Sequence, residues 1–352
     1  MKTFRAAGLI YGLQEHHLDH IAPIATMMEI PLIITEPCIE ELTKRYYPGL
    51  ITLYCDALEL GEQLVQRFDC IISSLPRALF DQIVFIAEKR YRKRVLNIWC
   101  PHGNSDKGHI ANFMEGLSRE EVALVYGQKM IDFMIEKGVY SQLYDAIVVG
   151  NYRYRYYQMH AHFYDQIVHK EITLRFKNKN SILLYAPTWA DAEHSSSFQK
   201  GVELLTKLVP TTWNVIIKLH PNTLAKTDLF SHTDNILILR NFPPIYPLLN
   251  LADAYLGDFS SIGYDALTFE TPLFFLNCTK RSPKTDKGLY LHRCGTTIEE
   301  KDFNNLFAMI EESNPSSYNK IQREVYAYTF ENGQNFKEHI WKAYETIPLF
   351  FR

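Results

Sequence analysis

The sequence lacks the glycine and histidine spacings that mark many nucleotide-binding and hydrolytic sites. Its 16 glycines never form GxGxxG or GxxxxGK[ST], and neither GxSxG nor HExxH occurs. These absences exclude P-loop nucleotide hydrolases and argue against a dinucleotide fingerprint, a serine-hydrolase elbow and a zincin. A phosphate site in this chain must therefore be built from other residues.

Cysteine pairs, long apolar runs and an excess of positive charge are also missing. The six cysteines include no CxxC pair, in a chain of 352 residues that is too long to need disulfide staples. No stretch approaches the roughly 20 apolar residues of a membrane span, and the first residues lack the apolar core of a signal peptide. A net charge of -3 argues against nucleic-acid binding. We expect a cytoplasmic protein with reduced thiols.

Short apolar runs alternate with helical spacing along the chain, which predicts an α/β fold. With 47% hydrophobic residues, the chain can bury two medium-sized cores. The polar loop at 177–180 favours a domain boundary within 165–180. The predicted strands cover 6–11, 31–35, 51–54, 70–74, 95–100, 122–126, 146–150, 181–189, 213–222, 236–239, 254–256 and 273–276.

The stretch 254–271 is typical of a buried strand, a polar turn and an apolar helix. Ser260 or Ser261 is a good N-cap, so the first amides of the helix, together with the second hydroxyl, suit a phosphate. Asp258 would repel an anion unless it turns aside to hold backbone amides or ligand hydroxyls. The alternative is an ordinary capped connection between a strand and a helix.

The turn after the strand at 95–100 contains His102 between a proline and Gly103. A histidine placed there can be aimed into a cleft, and its ordinary pKa suits a general base. Lys107 in the same turn can stabilise a phosphate. The alternative is a plain Pro-His-Gly turn.

Two further groups of polar residues follow predicted strands. Strand alternation puts Lys218 and His220 on one side, with Leu219 on the other, so a cation and an imidazole face one site. After the first strand, His16 and His20 share a helix face and His17 lies beside them. These side chains suit a cleft lining at a strand end, a metal site lacking an identifiable third ligand, or a solvated helix start.

Four short motifs, in this order, resemble the CDP-glycerol glycerophosphotransferases, bacterial enzymes of teichoic-acid-type polymer synthesis. The first departs from the family's usual His-Gly-Thr-Pro at Asn104 and Ser105. The four motifs are Pro101-His102-Gly103-Asn104-Ser105-Asp106-Lys107, Tyr185-Ala186-Pro187-Thr188-Trp189, Lys218-Leu219-His220-Pro221, and residues 252–261 around Asp258, Ser260 and Ser261.

The resemblance implies a GT-B architecture: two Rossmann-like domains that face each other across a cleft, with C-terminal helices crossing back to the first domain. On this basis we expect an acceptor domain at 1–170, a donor-nucleotide domain at 178–325 and a returning helix at 326–352. His102 and His220 would carry the chemistry. Lys218, Pro187, Thr188, Asp258, Ser260 and Ser261 would bind the donor, and His17, His20 and Lys107 would lie on the acceptor side.

The implied reaction is transfer of a glycerol phosphate, or a related polyol phosphate, from a CDP-activated donor to an acceptor hydroxyl, with release of CMP. The expected partners are that donor and a glycan or lipid-linked acceptor. No metal is expected to be required, although Mg²⁺ is compatible with the reaction. Peripheral membrane contact would fall to the basic and aromatic stretch 151–157. One alternative is a GT-B sugar transferase or a sugar-nucleotide 2-epimerase. Another hypothesis is a non-catalytic nucleotide-binding or scaffold protein.

Overall fold

A computed structural model describes residues 5–109, 114–189, 195–224, 234–330, 333 and 335–347. Within these ranges, thirteen strands form two sheets in which every neighbouring pair of strands is parallel. The contacts divide the chain into two compact units. Unit 1 comprises 1–102, 112–156 and 328–352, and unit 2 comprises 103–111 and 157–327.

Seven strands form the sheet of unit 1, in the order β3-β2-β1-β4-β5-β6-β7. The central strands are buried along their whole length, as expected of a parallel sheet covered on both faces. Its strands are β1 (Ala6–Ile10), β2 (Leu32–Ile34), β3 (Thr52–Tyr54), β4 (Cys70–Ser73), β5 (Leu96–Trp99), β6 (Val122–Val125) and β7 (Asp145–Val148).

Helices connect these strands and bury their apolar stripes against the sheet. One core cluster joins Leu9 and Ile71 of the sheet to Phe80 and Val84 of α4 (Arg77–Tyr91). The helix α14 (Phe336–Thr346) packs against β7, and Tyr144 Oη donates to the carbonyl of Thr346 at 2.7 Å. The helices of this unit are α1 (Glu15–Met28), α2 (Pro37–Tyr46), α3 (Leu60–Arg67), α4 (Arg77–Tyr91), α5 (Gln128–Glu136), the first part of α6 (Tyr152–Met159) and α14 (Phe336–Thr346).

Six strands form the sheet of unit 2, in the order β10-β9-β8-β11-β12-β13. A core cluster joins Leu183, Ile217 and Leu256 of this sheet to Leu205 and Leu306 of its helices. The strands are β8 (Ser181–Tyr185), β9 (Trp213–Lys218), β10 (Ile236–Leu239), β11 (Ala254–Gly257), β12 (Leu273–Asn277) and β13 (Thr296–Glu299). The helices are α7 (Ala161–Glu171), α8 (Phe198–Leu208), α9 (Pro221–Leu224), α10 (Tyr246–Leu251), α11 (Ile262–Ala266), α12 (Leu306–Glu311) and α13 (Asn319–Thr329).

Each sheet reverses its strand order once, between β1 and β4 in unit 1 and between β8 and β11 in unit 2. In open α/β sheets, ligands bind outside the carboxyl ends of the strands at such a switch point. The predicted α/β class is confirmed, and the carboxyl ends of these two strand pairs are the first places to look for a site.

The contacts assign α7 to unit 2, whereas the expected first domain ran to residue 170. The reason is apolar packing: α7 lies against α10, and the ring of Tyr157 stacks on Tyr246 with centroids 6.4 Å apart. At the other end, the contacts assign 328–352 to unit 1, although 331, 332, 334 and 348–352 lie outside the described residues.

Candidate functional site

The first cluster of polar side chains lies in unit 1, where β1 ends. Gly12 has a φ of 70°, and its amide donates to Thr35 Oγ1 at 2.8 Å, which turns the chain sharply before α1. The helix therefore begins at Glu15 and presents His16 and His17 in its first turn. Both histidines lie near the switch point of the sheet.

His102 joins these residues from the end of β5. Its ring centroid lies 5.0 Å from that of His17 and 5.7 Å from that of His16. One ring nitrogen from each of the three lies within 4.8 Å of those of the other two. His102 is exposed and His17 is buried. We call His16, His17 and His102 the histidine cluster.

His20 lies one turn further along α1 and is buried. Its Nδ1 is 3.0 Å from Tyr126 Oη, and that hydroxyl donates to the carbonyl of Pro101 at 3.2 Å. Since the hydroxyl proton is used on Pro101, His20 Nδ1 is the donor to Tyr126. Burial, with a smaller contribution from the charge of Arg153, holds the pKa of His20 well below its ordinary value. A neutral His20 thus supports the loop that carries His102.

The basic and aromatic stretch 151–157 is partly buried. Tyr152, Arg153 and Tyr156 are all buried. Arg153 forms an ion pair with Asp19, and its Nε also donates to the Asp19 carbonyl at 3.1 Å. The side chains of Tyr154 and Arg155 are half-buried, and peripheral membrane contact through this stretch stays a prediction.

The second cluster lies in unit 2, where the neighbouring strands β8 and β11 end. Asp258 is buried and accepts the amides of Thr188 at 2.9 Å and Ser260 at 3.0 Å through Oδ1. Its Oδ2 accepts the amide of Ser197 at 2.7 Å and the hydroxyl of Ser197 at 2.8 Å. Burial raises the pKa of Asp258, and these hydrogen bonds oppose that rise. Asp258 thus ties three chain segments together, by holding backbone amides.

Residues 103–109 belong to unit 2, although they follow β5 of unit 1. Asp106 fastens this segment, since Oδ1 accepts from Tyr264 Oη at 2.5 Å and Oδ2 from the amide of Leu291 at 3.0 Å. Lys107 Nζ then donates to Thr188 Oγ1 at 2.7 Å, and its charge also lowers the pKa of Asp258. Lys107, which was expected on the acceptor side, therefore lies beside residues expected to bind the donor.

Gly103 lies against the serine turn of the same unit. Its φ is 140°, and a Cβ at this position would lie 2.4 Å from Ser261 Oγ and 2.8 Å from Ser261 Cβ. A side chain would thus be strained by the backbone and blocked by the serine. Glycine is required for the close approach of the two segments.

The serine turn is arranged differently from the expected helix cap. α11 has five residues and continues as a 3₁₀ turn, and Ser261 at its N-cap makes no capping bond with its side chain. Ser260 Oγ accepts the amide of Ile262 at 3.4 Å, while the amides of Gly263 and Tyr264 donate to the carbonyls of Ser260 and Ser261. These amides, like that of Ser260, are used within the protein, which leaves the serine hydroxyls and nearby cations to meet an anion.

Lys218 is the last residue of β9, the other neighbour of β8, and His220 follows two residues later. Both are half-buried and the intervening Leu219 is buried, which agrees with the expected alternation. The ring of His220 lies 6.1 Å from that of Trp189. Pro187 is buried where the chain leaves β8. Lys218, Thr188 and Asp258 thus lie at or just beyond the carboxyl ends of three adjacent strands.

Three residues that shape these clusters were not singled out from the sequence. Tyr126, Asp106 and Ser197 act through partners that are 25 to 185 residues away in the chain. Asp106 carried a local signal, because it lies inside the 101–107 motif. Tyr126 lies in an apolar stretch and Ser197 in a serine-rich one, and neither position carries such a local signal in the sequence.

The two clusters and the two parallel sheets define a two-unit Rossmann-like α/β protein. The solved structure of the wall teichoic acid polymerase TagF aligns with 97% of this chain and 88% of that chain, with a TM-score of 0.63 and 15% identity. The UDP-GlcNAc 2-epimerase of Neisseria meningitidis, bound to UDP-GlcNAc, aligns with 97% of this chain and 99% of that chain, with a TM-score of 0.57 and 14% identity. At such identities the likeness concerns the fold, and the GT-B class is confirmed.

Residues 116–337 match the family model described as CDP-glycerol:poly(glycerophosphate) glycerophosphotransferase, and the chain belongs to that family. A teichoic acid poly(glycerol phosphate) polymerase of Staphylococcus epidermidis is 25% identical over 122 residues. That match spans 33% of this chain and 17% of the polymerase. Among the described residues, no helix has the length and apolar character needed to cross a bilayer.

Proposed function

We propose that the protein transfers a glycerol phosphate unit from CDP-glycerol to a hydroxyl of a glycerol phosphate polymer and releases CMP. Membership of the glycerophosphotransferase family supports the reaction class. The observation that carries the proposal is the segment 102–107. It begins with the exposed imidazole of His102, which lies beside His16 and His17. Five residues later, Lys107 Nζ donates to Thr188 Oγ1.

His102 is the general base in this reaction. One of its ring nitrogens takes the proton of the acceptor hydroxyl as the hydroxyl oxygen bonds to the phosphorus of the glycerol phosphate. The bond from that phosphorus to the bridging oxygen breaks, and CMP leaves with the electron pair. A positioned base contributes about 10²- to 10⁴-fold to such a step. The bond from Tyr126 to Pro101 holds the preceding residue and so orients His102.

Positive groups of unit 2 stabilise the pyrophosphate and the leaving CMP. Lys107 and Lys218 supply fixed charges, and His220 donates a hydrogen bond to the leaving phosphate. Ser260 and Ser261 offer their hydroxyls to the donor phosphates. Asp258 acts indirectly: it holds the amides of Thr188 and Ser260 and so fixes the two turns that bear these groups.

The transfer proceeds without a catalytic metal ion, because two lysines already provide the kind of positive charge that Mg²⁺ provides in other phosphoryl transfers. Activity should therefore persist after extensive treatment with EDTA. A requirement for Mg²⁺ that is restored by no other ion would contradict this part of the proposal.

A donor panel tests the function. The protein is incubated with CDP-glycerol, CDP-ribitol, UDP-sugars and GDP-sugars, together with a glycerol phosphate acceptor or a crude lipid extract. We expect CMP from CDP-glycerol, and a loss of about 10²-fold or more in rate for His102→Ala. His162→Ala, which changes an exposed histidine of α7, is the matched control and should retain full activity.

The nucleotide product separates the alternatives. UDP or GDP from a sugar donor would indicate glycosyl transfer on the same fold and overturn the proposal. CMP release that is unchanged in His102→Ala would retain the reaction and reject His102 as the base. Binding of CDP-glycerol without product from any acceptor would favour a nucleotide-binding protein without catalysis.

A further inference from the structure

We propose that the histidine cluster, His16, His17 and His102, binds a late first-row divalent ion such as Zn²⁺. Two of the three imidazoles come from the first turn of α1 and the third from the loop after β5. Their rings lie 4.3 to 5.7 Å apart by centroid, and one nitrogen of each lies within 4.8 Å of the others. Three nitrogen donors that converge in this way are the protein part of a tripodal metal site.

The distances are compatible with coordination after small rotations of the rings. A Zn–N bond is about 2.0–2.1 Å, so two nitrogens on one tetrahedral ion lie roughly 3.4 Å apart. The present nitrogens need to approach one another by at most about 1.5 Å, which rotation about the side-chain bonds of imidazoles can supply. Backbone movement is not needed, because all three rings already converge.

The chemistry of the three ligands determines which metal ions can bind. All three members of the cluster are imidazoles, which suit Zn²⁺, Co²⁺, Ni²⁺ and Cu²⁺, whereas Mg²⁺ and Ca²⁺ prefer oxygen ligands. His102 is exposed, so an ion can reach the cluster from solvent and a water molecule can complete the tetrahedron.

Contacts in the surrounding fold hold the two segments that carry the ligands, namely the start of α1 and the loop after β5. Tyr126 contacts His20 of α1 through its hydroxyl and donates the same hydroxyl to Pro101, the residue before His102. Asp19 of α1 is in turn held by Arg153 and by Tyr47 Oη at 3.0 Å. These buried contacts fix the helix start and the loop relative to each other within unit 1, which lowers the cost of assembling the three ligands.

Metal binding at the histidine cluster affects catalysis, and this part of the inference rests on the proposed function. A ring nitrogen that is bonded to the ion cannot accept the proton of an acceptor hydroxyl. Zn²⁺ at the histidine cluster therefore inhibits transfer reversibly, by taking His102 out of its role as base. The ion is a regulator here, and the reaction itself proceeds without it.

Direct binding tests the site independently of activity. The full chain, stripped with EDTA, is titrated with Co²⁺ while visible absorption is followed, and with Zn²⁺ in a calorimeter. We expect one strong site per chain with the spectrum of tetrahedral cobalt on nitrogen ligands, and no displacement by millimolar Mg²⁺. His16→Gln and His17→Gln should each weaken binding by about tenfold or more, while His162→Gln should bind like the wild type.

Thermal unfolding of each variant verifies that it folds. Because two ligand variants are compared, the test still works if one of them does not fold. Affinity that is equal in the wild type, His16→Gln and His17→Gln would overturn the proposal, as would the absence of a strong site. If binding behaves as expected, Zn²⁺ should inhibit the wild type, EDTA should reverse the inhibition, and the Zn²⁺ concentration that inhibits His16→Gln should rise by the same factor as its dissociation constant. Tight binding at the cluster without inhibition would leave the metal site intact and count against His102 as the base.

Discussion

The carboxylate of Asp258 accepts the backbone amide of Thr188 at 2.9 Å and thereby joins the turns after β11 and β8. Two turns that follow adjacent strands at the switch point of unit 2 are thus held by one buried side chain. Thr188 Oγ1 also accepts a hydrogen bond from Lys107 Nζ, so the position of that ammonium group depends on Asp258. The polar architecture of unit 2 is organised around this carboxylate.

Removal of the Asp258 carboxylate should therefore cost both stability and donor binding. Asp258→Ala leaves the amides of Thr188 and Ser197 without their acceptor, and we expect a loss of about 3 kcal/mol in the free energy of unfolding. The KM for the donor should rise more than kcat falls. Urea unfolding and steady-state kinetics measure the two effects.

The matched control for that experiment is Asp234→Ala. Asp234 forms an exposed ion pair with Lys177, and its loss should cost less than about 1 kcal/mol. If the two alanine variants are equally stable, the hydrogen bonds of Asp258 do not hold the turns as described here.

A buried ion pair under α1 gives a second prediction. Arg153→Met leaves the charge of Asp19 buried without its partner and should lower the free energy of unfolding by about 3–5 kcal/mol. The double variant Asp19→Asn with Arg153→Met removes both charges and should recover part of that loss. A double-mutant cycle by urea unfolding measures the coupling, and strict additivity of the two changes would contradict a direct pair.

Glu120 should make stability depend on pH near neutrality. Burial raises the pKa of this carboxyl from 4.5 to about 7, even though it accepts bonds from Asn97 and from the amide of Arg77. The folded state thus holds the proton more tightly than the unfolded state. This favours folding fully below about pH 4.5, and the advantage is lost as the pH rises through about 7.

Glu120→Gln cannot titrate and isolates this effect. Between about pH 4.5 and about pH 8, the wild type should lose on the order of 3 kcal/mol in unfolding free energy relative to the variant. Unfolding curves recorded across this range measure the difference. Parallel pH profiles for the two proteins would show that Glu120 titrates normally in the folded chain.

Much of the fold is predictable from the sequence because short apolar runs bounded by polar turns are a strong local signal. The run at 70–74 became β4 (Cys70–Ser73) and the run at 236–239 became β10 without change. β13 was missed because Thr296–Glu299 is short and largely polar. Where a single returning helix was expected at 326–352, the described residues form the end of α13 (Asn319–Thr329) and α14 (Phe336–Thr346).

The arrangement of the candidate site was less predictable, since it depends on contacts between distant residues. The turns that bear His102, Lys218 and Asp258 were found because strand ends and turn residues are visible locally. Lys107 was expected on the acceptor side, but Asp106 is bonded to Tyr264 and Leu291 and carries it into unit 2. No local pattern in the sequence contains those contacts.

The close approach of Gly103 to Ser261 gives a further prediction. Gly103→Ala places a Cβ 2.4 Å from Ser261 Oγ at a φ of 140°, and we expect it to cost about 2 kcal/mol in stability and to lower activity. Adding Ser261→Gly removes the steric contact and should restore part of the stability, while the backbone strain persists. Thermal unfolding of the single and double variants measures both, and an alanine that folds as stably as the wild type would contradict the geometry.

The most direct test of the central claim is phosphorus NMR of the protein with CDP-glycerol and a glycerol phosphate acceptor. It identifies which bond of the donor breaks. Attack at the phosphorus of the glycerol phosphate predicts that CMP and a new phosphodiester signal rise in a one-to-one ratio, and that both are lost in His102→Ala. Formation of CDP in place of CMP would show that the donor breaks at carbon, and it would contradict the phosphotransfer assigned to this protein.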